Sequence, residues 1–246
     1  MLLAIDIGNT NIVFAVYDNE QQIQKWRFET NAPIMNALDS LQKEISHVII
    51  SSVVPNKNKD ISTLCLNQLN LTPNFICAEN ADIKIDLNDP KEVGADRLVN
   101  AIAVLTEYNK SPAIIVDFGT ATTFDVVDAK GQYSGGVIAP GINLSLKALG
   151  DAAANLPILK IEKPANVIGK NTIDAMQSGI YWGYIGLIEG TIKRLQDEIG
   201  SDCFILATGG LAPLFAQGTD VIQIIDADLT LKGLVHIHKR LITNTH

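Results

Sequence analysis

The sequence predicts an α/β protein made of two similar domains, each a mixed β-sheet flanked by helices, with a cleft between them. Two observations lead there. The stretches "LLAIDIGNTNIVFAVYDNEQQI" (2–23) and "PAIIVDFGTATTFDVVDAKGQYSGG" (112–136) share one plan: an apolar run, an Asp-x-Gly turn rich in hydroxyl or amide side chains, a second apolar run and another turn. Each then gives way to alternating strand-like and helix-like patterns. The pattern restarts at Ser111-Pro112, so the expected domains are 1–111 and 112–246.

Leu2 to Ile5, Ile12 to Tyr17 and Ile23 to Phe28 read as three strands joined by tight turns, an antiparallel meander. Leu38, Leu41 and Ile45 give Met35 to Ser46 helical spacing. "HVIISSVVP" (47–55) is a buried strand stopped by proline, Lys59 to Leu69 a helix and Asn74 to Cys77 a strand. Asn88-Asp89-Pro90 breaks the chain before Gly94-Ala95-Asp96 opens a helix with Val99, Ala103 and Leu105 on its apolar side. In the second half, Ala113 to Val116 and Ala121 to Val127 are strands, "DAKGQY" a hairpin turn, and "GGVIAPG" a strand ending at Pro140-Gly141. Asn143 to Ala154 and Thr172 to Ile199 follow as helices, the second capped by Asn171 or Thr172. Cys203 to Ala207 and Val221 to Ile225 are the last strands, and Leu231 to Leu241 the closing helix.

Composition narrows the function. A net charge of −8 and a pI near 4.9 repel phosphate backbones, and no Lys/Arg run offsets this, so neither nucleic acid nor a membrane is an expected partner. Cys65, Cys77 and Cys203 show no CxxC spacing, which suits free thiols in a reducing cytoplasm. His236-x-His238 has no partner cluster in sequence to complete a metal site. Asp6 interrupts the first apolar run and no basic segment precedes it, so a cytoplasmic protein is expected. The apolar stretch around residues 173–192 carries Asp174, Gln177 and Glu189 and reads as a buried helix.

The repeated turn carries chemistry. In "DIGNTN", Gly8 lets backbone approach a ligand, while Asn9, Thr10, Asn11 and the turn N–H groups can cradle an anion such as phosphate. A carboxylate beside a phosphate needs a cation between them, which gives Asp6 a role next to Mg²⁺. "DFGTATT" repeats this logic with Asp117, Gly119, Thr120, Thr122 and Thr123. Neither stretch is a Walker loop or a GxGxxG. Either alone is equally an Asx-type hairpin turn, but two at matching points of two similar halves suggest two phosphate loops closing on one nucleotide. "ATGG" (207–210) could lay a base or ribose against backbone, or be a plain strand-to-helix turn.

Taken in order, "DIGNTN", "SSVVP", "VGADR", "VDFGTATTFDVV", "GGVIAPG", Leu156-Pro157, "GKNT" and "ATGGLA" resemble the type III pantothenate kinases of the acetate and sugar kinase/Hsc70/actin superfamily. The resemblance covers nearly the whole chain, and "VGADR" followed by "DFGTATT" is its most specific part. It implies two ribonuclease H-like (actin-like ATPase) domains, and transfer of phosphate from ATP to pantothenate, the first step towards coenzyme A. It implies ATP binding by Asp6, Ile7, Gly8, Asn9, Thr10, Asn11, Ile12, Val13 and Thr120, with Asp6 facing Mg²⁺ through water. Pantothenate would meet Gly94, Ala95, Asp96, Arg97 and Thr172, with Asp96 as general base, and Asp117 would hold a monovalent cation, K⁺ or NH₄⁺. One position departs: where the family often has a tyrosine, seven residues before the GADR glycine, this chain has Leu87.

The same resemblance implies a homodimer. Gly179, Gly183, Gly186 and Gly190 space small residues along the long helix, which serves close packing within one subunit or between two. Two other readings compete with a pantothenate kinase. "VGADR" argues against another kinase or phosphatase of the superfamily. Acidity and the presence of Asp6, Asp96 and Asp117 argue against a non-catalytic nucleotide-binding accessory regulator of the same fold.

Overall fold

A computed structural model describes residues 1–34, 36–39, 41, 44–152 and 160–243 of the chain. They divide into two compact units, Met1–Asn109 with Asp228–His246, and Lys110–Ala227.

In the first unit, β1 (Leu2–Ile7), β2 (Asn11–Asp18) and β3 (Gln21–Glu29) form the expected antiparallel meander. The chain then crosses to β4 (His47–Ser52), which lies parallel to β1 on its other side, and on to β5 (Asn74–Phe75) beyond it. The sheet order is β3-β2-β1-β4-β5. In the central strands, residues 2–5 of β1 and 48–50 of β4 are continuous buried apolar runs, as expected where both faces of a sheet are covered. One face packs Leu3, Ile5, Phe14 and Ile50 against Ile61, Leu64 and Cys65 of helix α1 (Pro55–Leu69). Pro55 starts α1 at a position where a missing N–H is harmless, and Asn70 ends it in the left-handed conformation. Helix α2 (Ala95–Ala103) runs into a π-helical turn, Val104–Tyr108.

The second unit repeats the plan. Strands β6 (Ala113–Phe118), β7 (Ala121–Val127) and β8 (Tyr133–Pro140) form a meander, and β9 (Phe204–Thr208) lies parallel to β6. With β10 (Ile224–Ile225) the order is β8-β7-β6-β9-β10, the same topology as the first sheet. Helix α3 (Ile142–Ala152) follows β8, and α5 (Ala212–Ala216) follows β9. Helix α4 (Thr172–Ile199) buries Tyr181, Tyr184, Ile185, Ile188 and Ile192 against Val116, Phe118, Phe124 and Phe215.

Two expectations need correction, and the choice between Asn171 and Thr172 as the cap of α4 is settled for Asn171. The division into 1–111 and 112–246 placed the closing helix in the second domain, whereas α6 (Leu229–Thr243) packs in the first unit. Its residues Leu231, Leu234, Val235 and Ile237 are buried there, and Thr230 Oγ1 donates to Asn100 Oδ1 of α2 at 2.8 Å. Ion pairs Lys25–Asp228, Lys239–Glu20 and His236–Glu107 hold its flanks. The helix expected over Met35 to Ser46 is absent where residues are described. Ala37, Asp39 and Leu41 N–H groups reach back three residues to Ile34, Asn36 and Leu38, as successive turns, while Met35, Ser40, Gln42 and Lys43 lie outside the described residues. Asn171 caps α4, accepting from Asp174 N–H at 2.9 Å, so Thr172 is the first helical residue and not the cap.

Leu156-Pro157, and Ala153-Ala154 of the expected 143–154 helix, lie outside the described residues. Among the described residues no helix is long and apolar enough to cross a membrane.

Candidate active site

In the first unit the site begins where β1 ends. Asp6 faces Val13 on β2 and Ser51 on β4, at the mouth of the Gly8–Thr10 turn. The turn closes through Gly8 N–H to the Asn11 carbonyl at 2.9 Å, and Thr30 braces it by donating to the Gly8 carbonyl at 2.6 Å. Asn9 and Thr10 are exposed at its tip. Ile7 and Ile12 face each other in register, and both side chains belong to the core, so only their backbone can serve a ligand. The Ile7 carbonyl already accepts from Val53 N–H.

Burial pushes the Asp6 carboxyl up to about 7, and the negative charge of Asp96 adds to the rise. The Ser51 hydroxyl and Arg27 offset part of it. The Ser51 Oγ is buried and reaches no hydrogen-bond geometry of its own among the described residues. Asp96 sits in the first turn of α2, where its Oδ1 accepts from Arg97 N–H at 2.8 Å. Gly94, just before the helix, leaves room for that carboxylate: a Cβ there would stand 2.6 Å from Asp96 Oδ1. Beside this loop opens a cavity of about 380 Å³ whose lining includes Ser52, Val53, Gly94 and Ala95 together with Cys77, Glu79 and Lys91. Leu87 is half-buried in the segment leading to Asp89, whose carboxylate caps a 3-10 turn at Pro90–Glu92.

In the second unit Asp117 occupies the place in β6 that Asp6 holds in β1. It faces Thr123 on β7 and Thr208 on β9. Thr208 thus matches Ser51: both aspartates have a hydroxyl neighbour on the parallel strand. These hydroxyls went unassigned in the sequence, although both lie inside the "SSVVP" and "ATGG" motifs. Gly209 has φ +90°, and a Cβ on it would lie 2.6 Å from the Phe118 carbonyl and 2.8 Å from Asp117 Oδ1. Backbone and carboxylate oxygens therefore converge on a spot that a side chain would fill.

The three threonines of "TATT" part company. Thr120 is exposed at the turn. Thr122 is buried and its hydroxyl bonds to Tyr184. Thr123 donates to Asp125 Oδ2 at 2.8 Å, and Tyr133 donates to Asp125 Oδ1 at 2.8 Å. The reading that all three offer hydroxyls to a ligand is therefore corrected: strand alternation turns Thr122 inward and Asp125 engages Thr123. Thr172 is exposed at the first position of α4.

Among the described residues no three His, Cys, Asp or Glu side chains cluster to hold a metal by themselves. A hard cation such as Mg²⁺ is often held by only one or two carboxylates plus substrate oxygens. A carboxyl whose ionisation is opposed by a second carboxyl, as that of Asp6 is by Asp96, fits such an ion.

The family model for type III pantothenate kinase matches residues 2–194. The chain is 53% identical to the type III pantothenate kinase of Paramagnetospirillum magneticum, over 98% of this chain and 97% of that protein. It is 52% identical to that of Rhodospirillum rubrum, over 98% of each. Among solved structures it is similar to a Campylobacter jejuni protein described as a Baf family transcriptional activator (TM-score 0.66, 22% identity, 98% and 99% covered). It is also similar to the activator of 2-hydroxyisocaproyl-CoA dehydratase from Clostridium difficile, solved with ADPNP (TM-score 0.56, 11% identity, 99% and 97% covered). Those two likenesses establish the fold, two mixed sheets of the actin-like ATPase and sugar kinase type. The identity and coverage of the first two relatives, with the family model, establish more: this chain belongs to the type III pantothenate kinase family.

Proposed function

We propose that this chain transfers the γ-phosphoryl group of ATP to the hydroxyl of pantothenate, and that the residues described above divide the work as follows. The Gly8–Asn11 turn and Thr120 hold the phosphates through backbone N–H groups and exposed hydroxyls. Asp96 takes the proton of the pantothenate hydroxyl as its oxygen attacks the γ-phosphorus and ADP departs. Phosphoryl transfer has a loose transition state, so orienting the hydroxyl is as much of the task as removing its proton. Arg97 pairs with the pantothenate carboxylate or a phosphate, and Thr172 adds a contact to the same substrate.

Asp6, with Asp96 beside it, would hold Mg²⁺, an ion that when bound offsets phosphate charge and orients the triphosphate. The oxygens around Gly209 and Asp117 suit K⁺ or NH₄⁺, which accept carbonyl and carboxylate ligands without octahedral geometry.

The observation that carries this reading is the pairing of Asp6 with Asp96. A phosphate-loop aspartate and the aspartate of the acceptor loop come from distant parts of the sequence, and the fold brings their charges together. The test is ADP release and phosphopantothenate formation by the purified protein with ATP, pantothenate and Mg²⁺, with and without K⁺. Product that depends on pantothenate is expected. ADP release indifferent to pantothenate would point to another acceptor, and no turnover with ATP bound would favour a nucleotide-binding regulator.

We also propose that the protein works as a homodimer through α4. Tyr181, Tyr184, Ile185 and Ile188 point into the core, which leaves Gly179, Gly183 and Gly186 on the opposite face. A Cβ added at any of these three meets nothing within 4 Å.

A further inference from the structure

We propose that Tyr184 is a positioning residue for nucleotide binding: its hydroxyl ties the second phosphate turn to the end of β8 and so holds Thr120 in place. This rests on the assignment of Thr120 to the phosphates of ATP.

The argument starts from what the hydroxyl touches. Tyr184 lies in the middle of α4 and is 7% exposed. Its O–H donates to the Pro140 carbonyl at 3.0 Å. A phenol has one proton, so the hydrogen bond between Tyr184 and Thr122 has the threonine as donor. The chain of bonds runs from Thr122 through Tyr184 to Pro140. Burial raises the Tyr184 pKa, so the phenol keeps its proton and remains a donor.

The two ends of that chain bracket the turn. Thr122 comes two residues after Thr120 on β7, and Pro140 is the last residue of β8, paired with Ala121 in the ladder. Gly141, the next residue, is pressed against the Thr120 carbonyl so closely that no side chain would fit. The Gly141 carbonyl in turn accepts from Ser145 N–H at 2.9 Å and from Ser145 Oγ at 3.1 Å, which anchors the start of α3. Thr120 thus has the Gly119 turn on one side and the Pro140-Gly141 backbone on the other, and Tyr184 links the Thr122 hydroxyl, just past the turn, to the Pro140 carbonyl. An isolated hairpin tip makes few contacts of its own and samples many conformations. Fixing it in advance lowers the ordering cost when nucleotide binds.

The tyrosine ring has a separate structural task, packing on Phe215 with centroids 5.0 Å apart. Phenylalanine at 184 preserves that contact and deletes only the hydroxyl, which leaves the Pro140 carbonyl and the Thr122 hydroxyl without this partner.

The experiment compares wild type with Tyr184→Phe and Thr122→Val. The readouts are dissociation constants for Mg²⁺ with a non-hydrolysable ATP analogue, KM for each substrate, kcat, and melting temperature. In both variants the nucleotide dissociation constant and the KM for ATP should rise about tenfold, with the KM for pantothenate changed by less than about twofold. The double variant should bind nucleotide no more weakly than either single one, because one chain of bonds is cut at two points. Thr122→Ser, which keeps the hydroxyl, should restore wild-type affinity. A lowered melting temperature with unchanged nucleotide affinity in Tyr184→Phe would reduce the residue to core packing and overturn the proposal. If that variant does not fold, unchanged affinity in Thr122→Val overturns it equally. Should wild type bind nucleotide but leave pantothenate untouched, the acceptor assignment fails while the affinities still decide the role of Tyr184. Wild type that binds no nucleotide ends both.

Discussion

Asp96 stands close enough to Asp6 to help raise its carboxyl to about 7, although 89 residues separate them in the chain. Burial contributes more to that rise, and the Ser51 hydroxyl and Arg27 counter it only in part. Such a pair is unfavourable for folding and useful for holding a cation, the usual conflict between stability and function at a site.

The first prediction is a stability effect of opposite sign to the loss of activity. Asp6 ionises near its ordinary 3.8 when unfolded and near 7 when folded. Between these values the folded chain binds more protons than the unfolded one, so its stability falls as pH rises through the window and the loss is complete above it. Asp6→Asn removes the penalty. Without metal or nucleotide, the variant should melt a few degrees above wild type at pH 8, with the gap closing towards pH 4. Its turnover should fall at least about a hundredfold. A variant less stable than wild type at pH 8 would show that the Asp6 charge is already compensated in the empty site.

Two glycines should respond differently to alanine. Gly94 has φ −62° and ψ 142°, which any residue adopts, and a new Cβ meets the end of a movable side chain, Asp96. Gly94→Ala should fold normally but lose at least about tenfold in turnover, since the displaced group is the proposed base. Gly209 has φ +90°, and its Cβ meets the Phe118 backbone as well as Asp117. Gly209→Ala should cost about 2 kcal/mol of stability or more and weaken activation by K⁺. Thermal melts alongside K⁺ titrations separate the cases. Equal loss of stability in both variants would contradict the distinction between movable side chain and fixed backbone.

Leu87 offers a gain-of-function test. It is half-buried, and its position is the one where the family resemblance implies a tyrosine. A leucine there packs but offers no hydrogen bond. Leu87→Tyr should lower the KM for pantothenate about threefold to tenfold, with the KM for ATP unchanged. An unchanged or raised pantothenate KM would mean that position 87 lies away from the acceptor.

The repeated meanders were legible because period-2 alternation and Asp-x-Gly turns are local signals. Strand β7 falls where alternation and the "DAKGQY" turn put it, and α4 runs from Thr172 to Ile199 as its spacing and the following Gly200 indicate. What the sequence withheld was long-range. No local pattern states that the apolar face of α6 covers the first unit, because Leu231, Leu234 and Ile237 would suit either sheet. The Met35 to Ser46 segment shows the reverse failure: helical spacing is present, but an apolar anchor such as Leu38 can be buried by turns equally well. In the site, the motifs named Asp6, Asp96 and Asp117. The groups that tune Asp6, namely Ser51 and Arg27, come from other elements, as does Tyr184 beside Thr122, and only the fold brings them near.

The last prediction concerns α4 as a contact between two copies of the chain. Its glycines at 179, 183 and 186 point away from the core that Tyr181, Ile185 and Ile188 fill, and added Cβ atoms there meet nothing. Ile138, Leu144 and Ile173 are also exposed on the second unit, at 64%, 52% and 48%. A small-residue stripe lets a second helix approach closely, and exposed apolar side chains supply area of the kind that a stable interface buries. Gly183→Glu places a charge on the stripe without touching the packing of the single chain. Wild type should sediment as a dimer at micromolar concentration, whereas Gly183→Glu should sediment as a monomer that melts independently of concentration. Association stabilises the native state by mass action, so the wild-type melting temperature should rise with concentration. A dimer that survives Gly183→Glu unchanged would move the interface off α4, and a wild-type monomer would remove it.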